Sequence, residues 1–547
     1  MNLIATIRQL FNSQLAARSS QLMQFSSQLA ARSSQLAAAA LMMPVLGSSV
    51  LAAADGDWPQ WGGTNQRNMA NLTAKGLPTT FDPGTFKPGT EEVDLATTKN
   101  VKWVAKLGSQ TYGNPVIANG RIYVGTNNES PRDPAHVGDR GILYCFEEAT
   151  GKFLWQLVVP KLDSGKVNDW EYLGITASPT VDGDVVYIVT NRCEVLALDV
   201  HGLANGNQGH QDEGKQMAGT NKPPLPVTPT DADILWRYDM MEELGVFPHN
   251  AANCSVIVDG DLVYVATSNG QDWTHVNIPS PNSPSLIALD KKTGEFKGED
   301  DAGIGPRIFH GGWSSPSLAP VNGKPLLFFG GADGVCYAFD PKPVPDPENE
   351  TAWLKTVWSY DCNPPHYKVK DGKKLKYPAA DAYSEIIATP VLYKDRVYVA
   401  VGQDPEHGEG VGILHCIDAS KTGDVTGTAK IWSYDKIARS ISTVAVYDGI
   451  VYVGDFSGFF FALDAETGKE LWTHDFKAHM WGSAFAADGK VFVGDESGTF
   501  TVFEAGKDKK IISQVSLSSP IYATPVYANG VLYVACQTHL YAVQVKP

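Results

Sequence analysis

The chain has 547 residues and a formal net charge of −16, from 44 Lys and Arg against 60 Asp and Glu. This balance argues against nucleic acid or an anionic membrane as a partner, because both require a basic patch. No cluster of Lys and Arg interleaved with aromatic residues offers one. The seven cysteines include no Cys-x-x-Cys pair, so the chain has no cysteine motif for metal binding or redox chemistry.

The first 54 residues have the composition of an export signal. They contain three arginines and no acidic residue before Asp55, and an apolar stretch from Leu36 to Leu46 precedes the small residues 52–54. This order predicts a signal peptide cleaved near Ala54 and a periplasmic or secreted protein. An organelle transit peptide is the alternative. Because the apolar stretch is too short to span a bilayer, we predict no transmembrane segment.

Residues 55–98 are rich in Pro, Gly and Asn and include the phrase Trp58-Pro-Gln-Trp61-Gly-Gly. They show neither the alternation of a strand nor the period of a helix over any length. We expect this N-terminal extension to pack on the following domain instead of forming a domain of its own.

A repeated phrase occupies residues 99–547. Each copy has a short apolar strand, a two-residue turn and an alternating apolar strand, as in Pro115–Val124. The turns are Asn119-Gly120, Asp182-Gly183, Asp259-Gly260, Asn322-Gly323, Asp448-Gly449, Asp488-Gly489 and Asn529-Gly530, with Lys394-Asp395 in the copy that lacks the glycine. Asn-Gly and Asp-Gly pairs accept the positive φ of a type I′ hairpin turn. The repeats predict an all-β fold, an eight-bladed β-propeller of four-stranded antiparallel blades.

The second half of each repeat predicts how the blades pack. The third strand ends in an acidic residue, which Thr-Gly and a tryptophan follow in the clearest copies, as in Asp464 to Trp472. Two copies have Gly298 and Ile512 at the tryptophan position. We interpret the indoles as structural contacts between blades and not as ligand-binding surfaces.

The two ends of the chain are predicted to build one blade together. The last repeat ends after three strands, and Val101–Leu107, which contains Trp103, precedes the first complete repeat. Adding this strand to the last blade closes the ring and leaves no unpaired sheet edge. We also expect a monomer.

The phrase Ala-x-Asp-x-x-Thr-Gly-x-x-x-Trp, repeated around eight blades after an export signal, resembles the pyrroloquinoline quinone (PQQ) repeat propellers. These include the quinoprotein alcohol dehydrogenases and the propeller lipoprotein that assists outer-membrane protein assembly. The resemblance covers residues 100–547 and implies the fold. It does not identify the function, because the phrase encodes blade packing and is shared by catalysts and scaffolds.

Long loops predict a ligand site on one face of the ring. Three loops between second and third strands are long, at residues 127–140, 269–285 and 403–412, and such loops are often functional. Their polar residues include Asp272, His275 and His407. Together with the segments that lead into the inner strands, they predict these ligand-contacting residues: His249, Asn250, His310, Trp313, Glu385, Arg439 and Trp481. Imidazoles, amides, indoles and carboxylates together suggest a cation or a small planar polar ligand.

The family resemblance also implies specific catalytic positions. It implies PQQ above a calcium ion, with Glu129 and Asn269 in the metal-binding positions. Ser314 occupies the place of the family's catalytic aspartate and Ala332 that of its arginine, and the vicinal cysteine pair is absent. A serine hydroxyl cannot accept the alcohol proton without a base of its own. Glu385 and Asp272 are the candidate substitutes for that base.

Three functions remain open. The first is a non-catalytic exported propeller that binds a small polar ligand, a metal or a protein at its funnel face. The second is a PQQ- and calcium-dependent oxidoreductase with a rearranged base, and the third is an envelope assembly scaffold. The sequence favours the first, because two charges required by the quinoprotein mechanism are missing.

Overall fold

A closed ring of eight β-sheets forms the body of the protein. The computed structural model describes residues 56–348 and 350–545, so the predicted leader lies outside the described residues. The prediction of an eight-bladed propeller is confirmed. First strands contact each other between blades 1 and 2, 2 and 3, 4 and 5, and 6 and 7, which places these strands around the central channel.

Each blade is a four-stranded antiparallel sheet, numbered here 1 to 8 in chain order and described from the inner strand outwards. Blades 1 to 4 consist of Val116–Ala118, Arg121–Asn127, Arg140–Glu147 and Phe153–Pro160; Thr180–Asp182, Val185–Val189, Glu194–Asp199 and Ile234–Asp239; Ile257–Asp259, Leu262–Ala266, Leu286–Asp290 and Phe296–Asp300; and Ser317–Val321, Lys324–Gly330, Val335–Phe339 and Thr356–Asp361. Blades 5 to 8 consist of Val391–Tyr393, Arg396–Ala400, Leu414–Asp418 and Lys430–Tyr434; Ala445–Tyr447, Ile450–Gly454, Phe459–Asp464 and Glu470–Asp475; Phe485–Ala487, Lys490–Gly494, Thr499–Glu504 and Ile511–Ser516; and Val526–Ala528, Val531–Ala535, His539–Val543 and Val101–Lys106.

Short additional elements decorate the ring. A hairpin of Val344–Asp346 and Thr351–Leu354 extends the outer edge of blade 3, and Gly423–Asp424 extends blade 4. The described α-helices are Glu213–Ala218, Met240–Leu244 and Pro365–Lys368. Short 3₁₀ helices lie at Leu95–Thr97, Gly165–Val167, Gly202–Asn205, Gly305–Arg307 and Pro405–His407. A separate two-stranded hairpin is formed by Val369–Lys370 and Lys373–Lys374. In the described part of the chain, none of the helices has the length and apolarity that a membrane crossing requires.

The turns between first and second strands follow the predicted type in six blades. Both central residues have positive φ there, as at Asn119 (+55°) and Gly120 (+72°). In blades 2 and 3 the prediction is wrong, because only Gly183 and Gly260 have positive φ. These two copies read Asp-Gly-Asp, and the strand register selects the Gly-Asp pair, which suits a type II′ turn with glycine first.

The tryptophans of the repeated Thr-Gly-x-x-x-Trp phrase make the contacts between neighbouring blades. Six indole Nε1 groups donate hydrogen bonds of 2.9–3.1 Å to backbone oxygens of the next blade. The donors are Trp103, Trp155, Trp236, Trp358, Trp432 and Trp472. A Cβ on Gly151 would lie 2.6 Å from the Trp103 ring, so only glycine leaves room for the indole. The structural interpretation of the tryptophans is confirmed.

One assignment within this pattern is wrong. The tryptophan position of blade 7 is occupied by Ser513, not Ile512, since Ser513 pairs with Val502 as Trp472 pairs with Ala462. Both outer strands carry the same β-bulge, and the difference arises in the turn before it. Leu463 pairs with Glu470, seven residues further on, whereas Phe503 pairs with Ile511, eight residues further on.

Replacing Trp472 by alanine is expected to lower the free energy of unfolding by about 3–5 kcal/mol through the cavity it leaves. The indole is 7% exposed, stacks on Phe503 at 5.3 Å and donates to the Gly506 oxygen at 3.0 Å. Chemical denaturation measures the loss. Ile512→Ala, on an exposed strand of the next blade, is the control and should cost less than about 1 kcal/mol. Equal losses in both variants would contradict the packing role.

The ring closes as predicted, with both ends of the chain in blade 8. Val101–Lys106 pairs antiparallel with His539–Val543 and forms the outermost strand of that blade. Trp103 is 4% exposed and bonds to Glu148 of blade 1. The seam therefore carries the same indole contact as the other blade junctions.

Residues 56–77, here called the N-terminal strap, run along the inner strands of the ring. Backbone hydrogen bonds join the strap to blade 1 at Ile117, to blade 2 at Val181, to blade 4 at Leu318 and to blade 7 at Ala486. Within the strap, Ala70–Asn71 adds a parallel strand to blade 7. The strap thus connects blades that are distant from one another in sequence.

Arg67 anchors the strap. Its side chain is fully buried, and its guanidinium donates to the carbonyl oxygens of Trp61, Ser255, Val256 and Pro316 at 2.6, 2.7, 2.7 and 3.2 Å. Burial lowers the pKa of Arg67 to about 10, so the group is still protonated at neutral pH. Four neutral carbonyl groups, from the strap and from blades 3 and 4, therefore replace its hydration shell.

Candidate functional site

A cavity of about 390 Å³, here called the funnel cavity, lies where the segments leading into the eight inner strands converge. All eight blades contribute lining residues, and Trp61 of the N-terminal strap contributes one indole. Ligands of propellers and other closed β folds meet such a convergence of loops because the rigid strands below hold it in place. A cavity therefore lies on the face of the ring where the sequence predicts a ligand site.

Aromatic side chains form much of the cavity wall. The aromatic lining residues are Trp61, Tyr112, Trp170, Trp313, Trp481 and Tyr522. Trp481 stacks on Tyr522 with ring centroids 4.8 Å apart, and Tyr112 lies 5.2 Å from Tyr522. Broad, rigid aromatic faces of this kind suit a ligand with a flat or apolar face.

Several polar atoms in the wall lack a partner. Trp61 Nε1, Trp481 Nε1, Asn250 Oδ1 and Thr176 Oγ1 are buried and make no hydrogen bond within the described structure. An unsatisfied buried polar group costs about 1–3 kcal/mol, so each requires an explanation. Two indole N–H groups and two side-chain oxygens are therefore buried without a partner just behind the surface of this wall.

The charge of the lining is acidic. Asp404 and Glu406 line the cavity, whereas no Lys or Arg occurs among its described lining residues. Burial raises the pKa of Asp404 to about 6, so this carboxyl is largely ionised at pH 7. The lining therefore favours neutral or cationic ligands over anions.

Four histidines meet beside the cavity, and we refer to His249, His275, His310 and His407 as the histidine cluster. His249 and His310 precede the inner strands of blades 3 and 4, whereas His275 and His407 lie in the long loops of blades 3 and 5. Ring centroids are 4.1 Å apart for His249 and His310, 5.0 Å for His275 and His310, and 4.7 Å for His310 and His407.

The buried imidazoles of the cluster have free nitrogens. His249 Nδ1 lies 2.7 Å from the Gln271 carbonyl oxygen, which can only accept, so Nδ1 carries the proton and Nε2 holds a lone pair. His249 Nε2 and both nitrogens of His310 are buried without a hydrogen-bond partner among the described residues. Glu385 Oε1 and Asp404 Oδ2 flank the His310 ring at 4.0 and 3.8 Å.

Burial holds these imidazoles neutral. Desolvation lowers the pKa of His249 and of His407 to about 4 and that of His310 further, and repulsion between the rings adds to the effect. Burial also raises the pKa of Glu385 to about 8, although the Tyr377 hydroxyl donates to this carboxyl at 2.9 Å. His249, His310 and His407 thus present neutral nitrogen donors beside carboxyl groups, and such groups are able to hold a transition-metal ion.

The structure separates the predicted ligand residues into two groups. Asn250, Trp313 and Trp481 line the funnel cavity. His249, His310 and Glu385 lie together in or against the histidine cluster. Arg439 is buried outside both, and its guanidinium donates to the carbonyl oxygens of Ala379, His407 and Gly408. Arg439 thereby fixes the loop that carries His407.

The two predicted metal ligands occupy different environments. Glu129 is exposed beside Lys106, Arg132 and Phe153, near outer strands. Asn269 is buried, and its side chain accepts from Phe247 N at 3.0 Å and donates to Ser280 O at 2.8 Å. No contact between Glu129 and Asn269 occurs in the described part of the chain. The calcium assignment stays a prediction.

The two candidate bases also differ. Asp272 accepts hydrogen bonds from the Thr274 hydroxyl and from Asn277, and these lower its pKa, which weakens it as a base. Glu385 is fully buried with a raised pKa.

The sequence analysis identified His275 and His407 only as polar loop residues. It missed four aromatic residues of the cavity wall because each resembles an aromatic residue that packs in a core: Trp61, Tyr112, Trp170 and Tyr522.

A family comparison agrees with this fold. Residues 132–299 and 458–546, just under half of the chain, match the family described as "Outer membrane protein assembly factor BamB". Together with the eight blades, this match confirms the resemblance to the PQQ-repeat propellers that the sequence shows. No curated protein matches the chain in sequence.

Three solved structures match the chain at low identity and with TM-scores below 0.5. BamB from Moraxella catarrhalis is 15% identical with a TM-score of 0.49, over 82% of this chain and 97% of that one. Quinohemoprotein alcohol dehydrogenase from Comamonas testosteroni is 15% identical with a TM-score of 0.48, over 94% and 84%. The computationally designed protein Ika8 is 12% identical with a TM-score of 0.45, over 80% and 98%.

Proposed function

We propose that this protein is a binding protein for a small, neutral, hydroxyl-rich ring compound, such as a mono- or disaccharide, in the funnel cavity. The observation that carries the proposal is the wall of rigid aromatic faces, behind which Trp61 Nε1, Trp481 Nε1 and Asn250 Oδ1 are buried without a partner. A hydroxyl group both donates and accepts, so it can satisfy indole N–H and amide oxygen alike. Sugar rings also offer an apolar face that packs on indoles.

The cavity fits an anionic quinone poorly. PQQ carries carboxylates, and the described lining supplies Asp404 and Glu406 but no basic side chain to neutralise them. Arg439 donates to three carbonyl oxygens. Ser314, at the position of the family's catalytic base, donates its hydroxyl to the Ala388 oxygen at 3.0 Å. We therefore assign no catalytic step to a quinone, and PQQ with calcium remains the less favoured alternative.

Protein binding at the same face is a second candidate. Its supporting observation is a set of exposed apolar side chains on the loops around the funnel, namely Val137, Tyr172, Trp273 and Val276. Trp273 is 49% exposed and stacks on Trp170 of the cavity wall at 5.8 Å. A scaffold would lose partner binding in Trp273→Asp and keep it in Trp481→Ala. Both proposals include export of the protein through the predicted signal peptide of residues 1–54.

Trp481→Ala is expected to weaken sugar binding at least about tenfold, because it removes both a stacking face and an indole donor. Isothermal titration of full-length protein with a panel of neutral mono- and disaccharides, choline and PQQ measures the affinity. Trp353→Ala is the matched control, since this half-buried indole lies on the added hairpin of blade 3 and should leave binding unchanged.

Saturable binding of a neutral sugar that depends on Trp481 supports the proposal. Binding of PQQ alone would overturn it in favour of the quinoprotein function. Absence of saturable binding for every neutral sugar, or equal affinity in wild type and Trp481→Ala, would also overturn it.

A further inference from the structure

Beside the funnel cavity, we infer a binding site for one divalent transition-metal ion of the zinc class, with His249, His275 and His310 as its ligands. One nitrogen from each of these residues lies within 4.8 Å of the other two. Three imidazoles are a recurring ligand set for zinc and its neighbours, with the remaining coordination position left to water or a further ligand.

The surroundings of His249 match those of a metal-bound histidine. A ligating imidazole commonly donates its second N–H to a carbonyl oxygen, which fixes the tautomer and the ring orientation. His249 Nδ1 makes such a bond to the Gln271 oxygen at 2.7 Å and leaves Nε2 directed to no protein partner in the described structure. The ring is therefore already oriented as a ligand.

His310 provides an independent argument. Its side chain is 0% exposed, and neither nitrogen has a hydrogen-bond partner among the described residues. Buried polar groups are satisfied in nearly all proteins, so a fully buried imidazole with two free nitrogens calls for a ligand. A metal at one nitrogen would leave the other N–H to reach Glu385 or Asp404, which lie 4.0 and 3.8 Å away.

Backbone strain marks the third ligand. His275 has a φ of +56°, a left-handed conformation that is costly for a residue with a side chain and is concentrated at functional sites. It lies in the long loop of blade 3, opposite the loop of blade 5, with the His407 ring 5.5 Å away. The loop therefore holds an imidazole in place at a conformational cost.

The ligand chemistry selects the metal, and the neighbours connect it to the cavity. Imidazoles suit zinc, cobalt, nickel and copper, whereas calcium prefers oxygen ligands. Asp404 borders the histidine cluster through His310 and also lines the funnel cavity. An ion bound here would lie next to the ligand of the proposed function, but its binding does not depend on that ligand.

Full-length protein freed of metal with EDTA and titrated with Co²⁺ alone tests the inference. We expect one equivalent of Co²⁺, the visible d–d absorption of nitrogen coordination, and displacement by Zn²⁺ but not by Ca²⁺. His275 is partly buried, and His275→Ala should lower the affinity for Co²⁺ at least about tenfold. Glu385→Gln changes a residue next to the ligands and should lower the affinity for Co²⁺ about 10–100-fold. His366→Ala, an exposed histidine outside the cluster, is the control and should bind as wild type does.

The outcomes separate this inference from the proposed function. Trp481→Ala should bind Co²⁺ normally, so a failure of sugar binding leaves the metal result intact. Wild-type protein that retains no Co²⁺, or that binds it as weakly as His275→Ala, would overturn the inference. The melting temperature of wild type and of His275→Ala, each with and without Zn²⁺, gives a second test, because only a specific site raises it in wild type alone.

Discussion

Deletion of residues 536–547 is expected to abolish cooperative folding of the propeller. The deletion removes His539–Val543, which pairs with Val531–Ala535 on its inner side and with Val101–Lys106 on its outer side. Without it the closing strand has no partner, Trp103 loses the sheet that positions it, and two open edges remain. Open edges of buried sheets expose unpaired backbone groups and promote aggregation.

Thermal unfolding followed by circular dichroism measures this effect. The truncated protein should show no single sharp transition and should be degraded quickly by protease, whereas full-length protein melts cooperatively. Lys102→Ala is the control within the seam, since Lys102 is exposed on the closing strand and should change stability by less than about 1 kcal/mol. A truncated protein that melts as the full-length one does would contradict closure by both chain ends.

Replacement of Arg67 by methionine is expected to lower the free energy of unfolding by about 3–6 kcal/mol. Methionine keeps much of the side-chain volume but leaves the oxygens of Trp61, Ser255, Val256 and Pro316 without their donor. Each buried acceptor that loses its partner costs about 1–3 kcal/mol, partly offset because a buried charge is also removed. The strap should then detach from the inner strands, and Trp61 should leave the cavity wall.

Two measurements on Arg67→Met distinguish these effects. Chemical denaturation gives the loss of stability, and hydrogen exchange of residues 56–77 reports detachment of the strap. Lys75→Ala is the matched control in the same strap, because Lys75 is exposed and pairs only at 3.7 Å with Asp488. Unchanged exchange of the strap in Arg67→Met would show that the backbone bonds, and not Arg67, hold it in the channel.

The sequence predicted the repeating parts of this molecule well and the unique parts poorly. Turn residues, alternating strands and the glycine beneath four of the six indoles act over a few residues or between adjacent blades, so their pattern is visible in the chain. The shift from Ile512 to Ser513 shows the limit of this approach, because a turn one residue longer than that of blade 6 changes which residue of the outer strand occupies the tryptophan position.

The site residues show the same contrast. Asn250, Trp313 and Trp481 were predicted as ligand residues and line the cavity. Arg439 was also predicted there, yet its guanidinium binds backbone oxygens of the loop that carries His407. A sequence indicates that a polar residue lies in a loop, but the direction of its side chain depends on neighbours from other blades.

The sequence by itself determined the eight-bladed fold and its closure by Val101–Lys106, because periodic apolar strands and turn pairs leave few other ways to bury the same surface. Only the tertiary structure decided that the strap follows the inner strands and that His249, His275 and His310 share one site. The strap has no periodic signal, and the three histidines come from separate segments of the chain. Their meeting follows from the curvature of the ring, a property of all eight blades together.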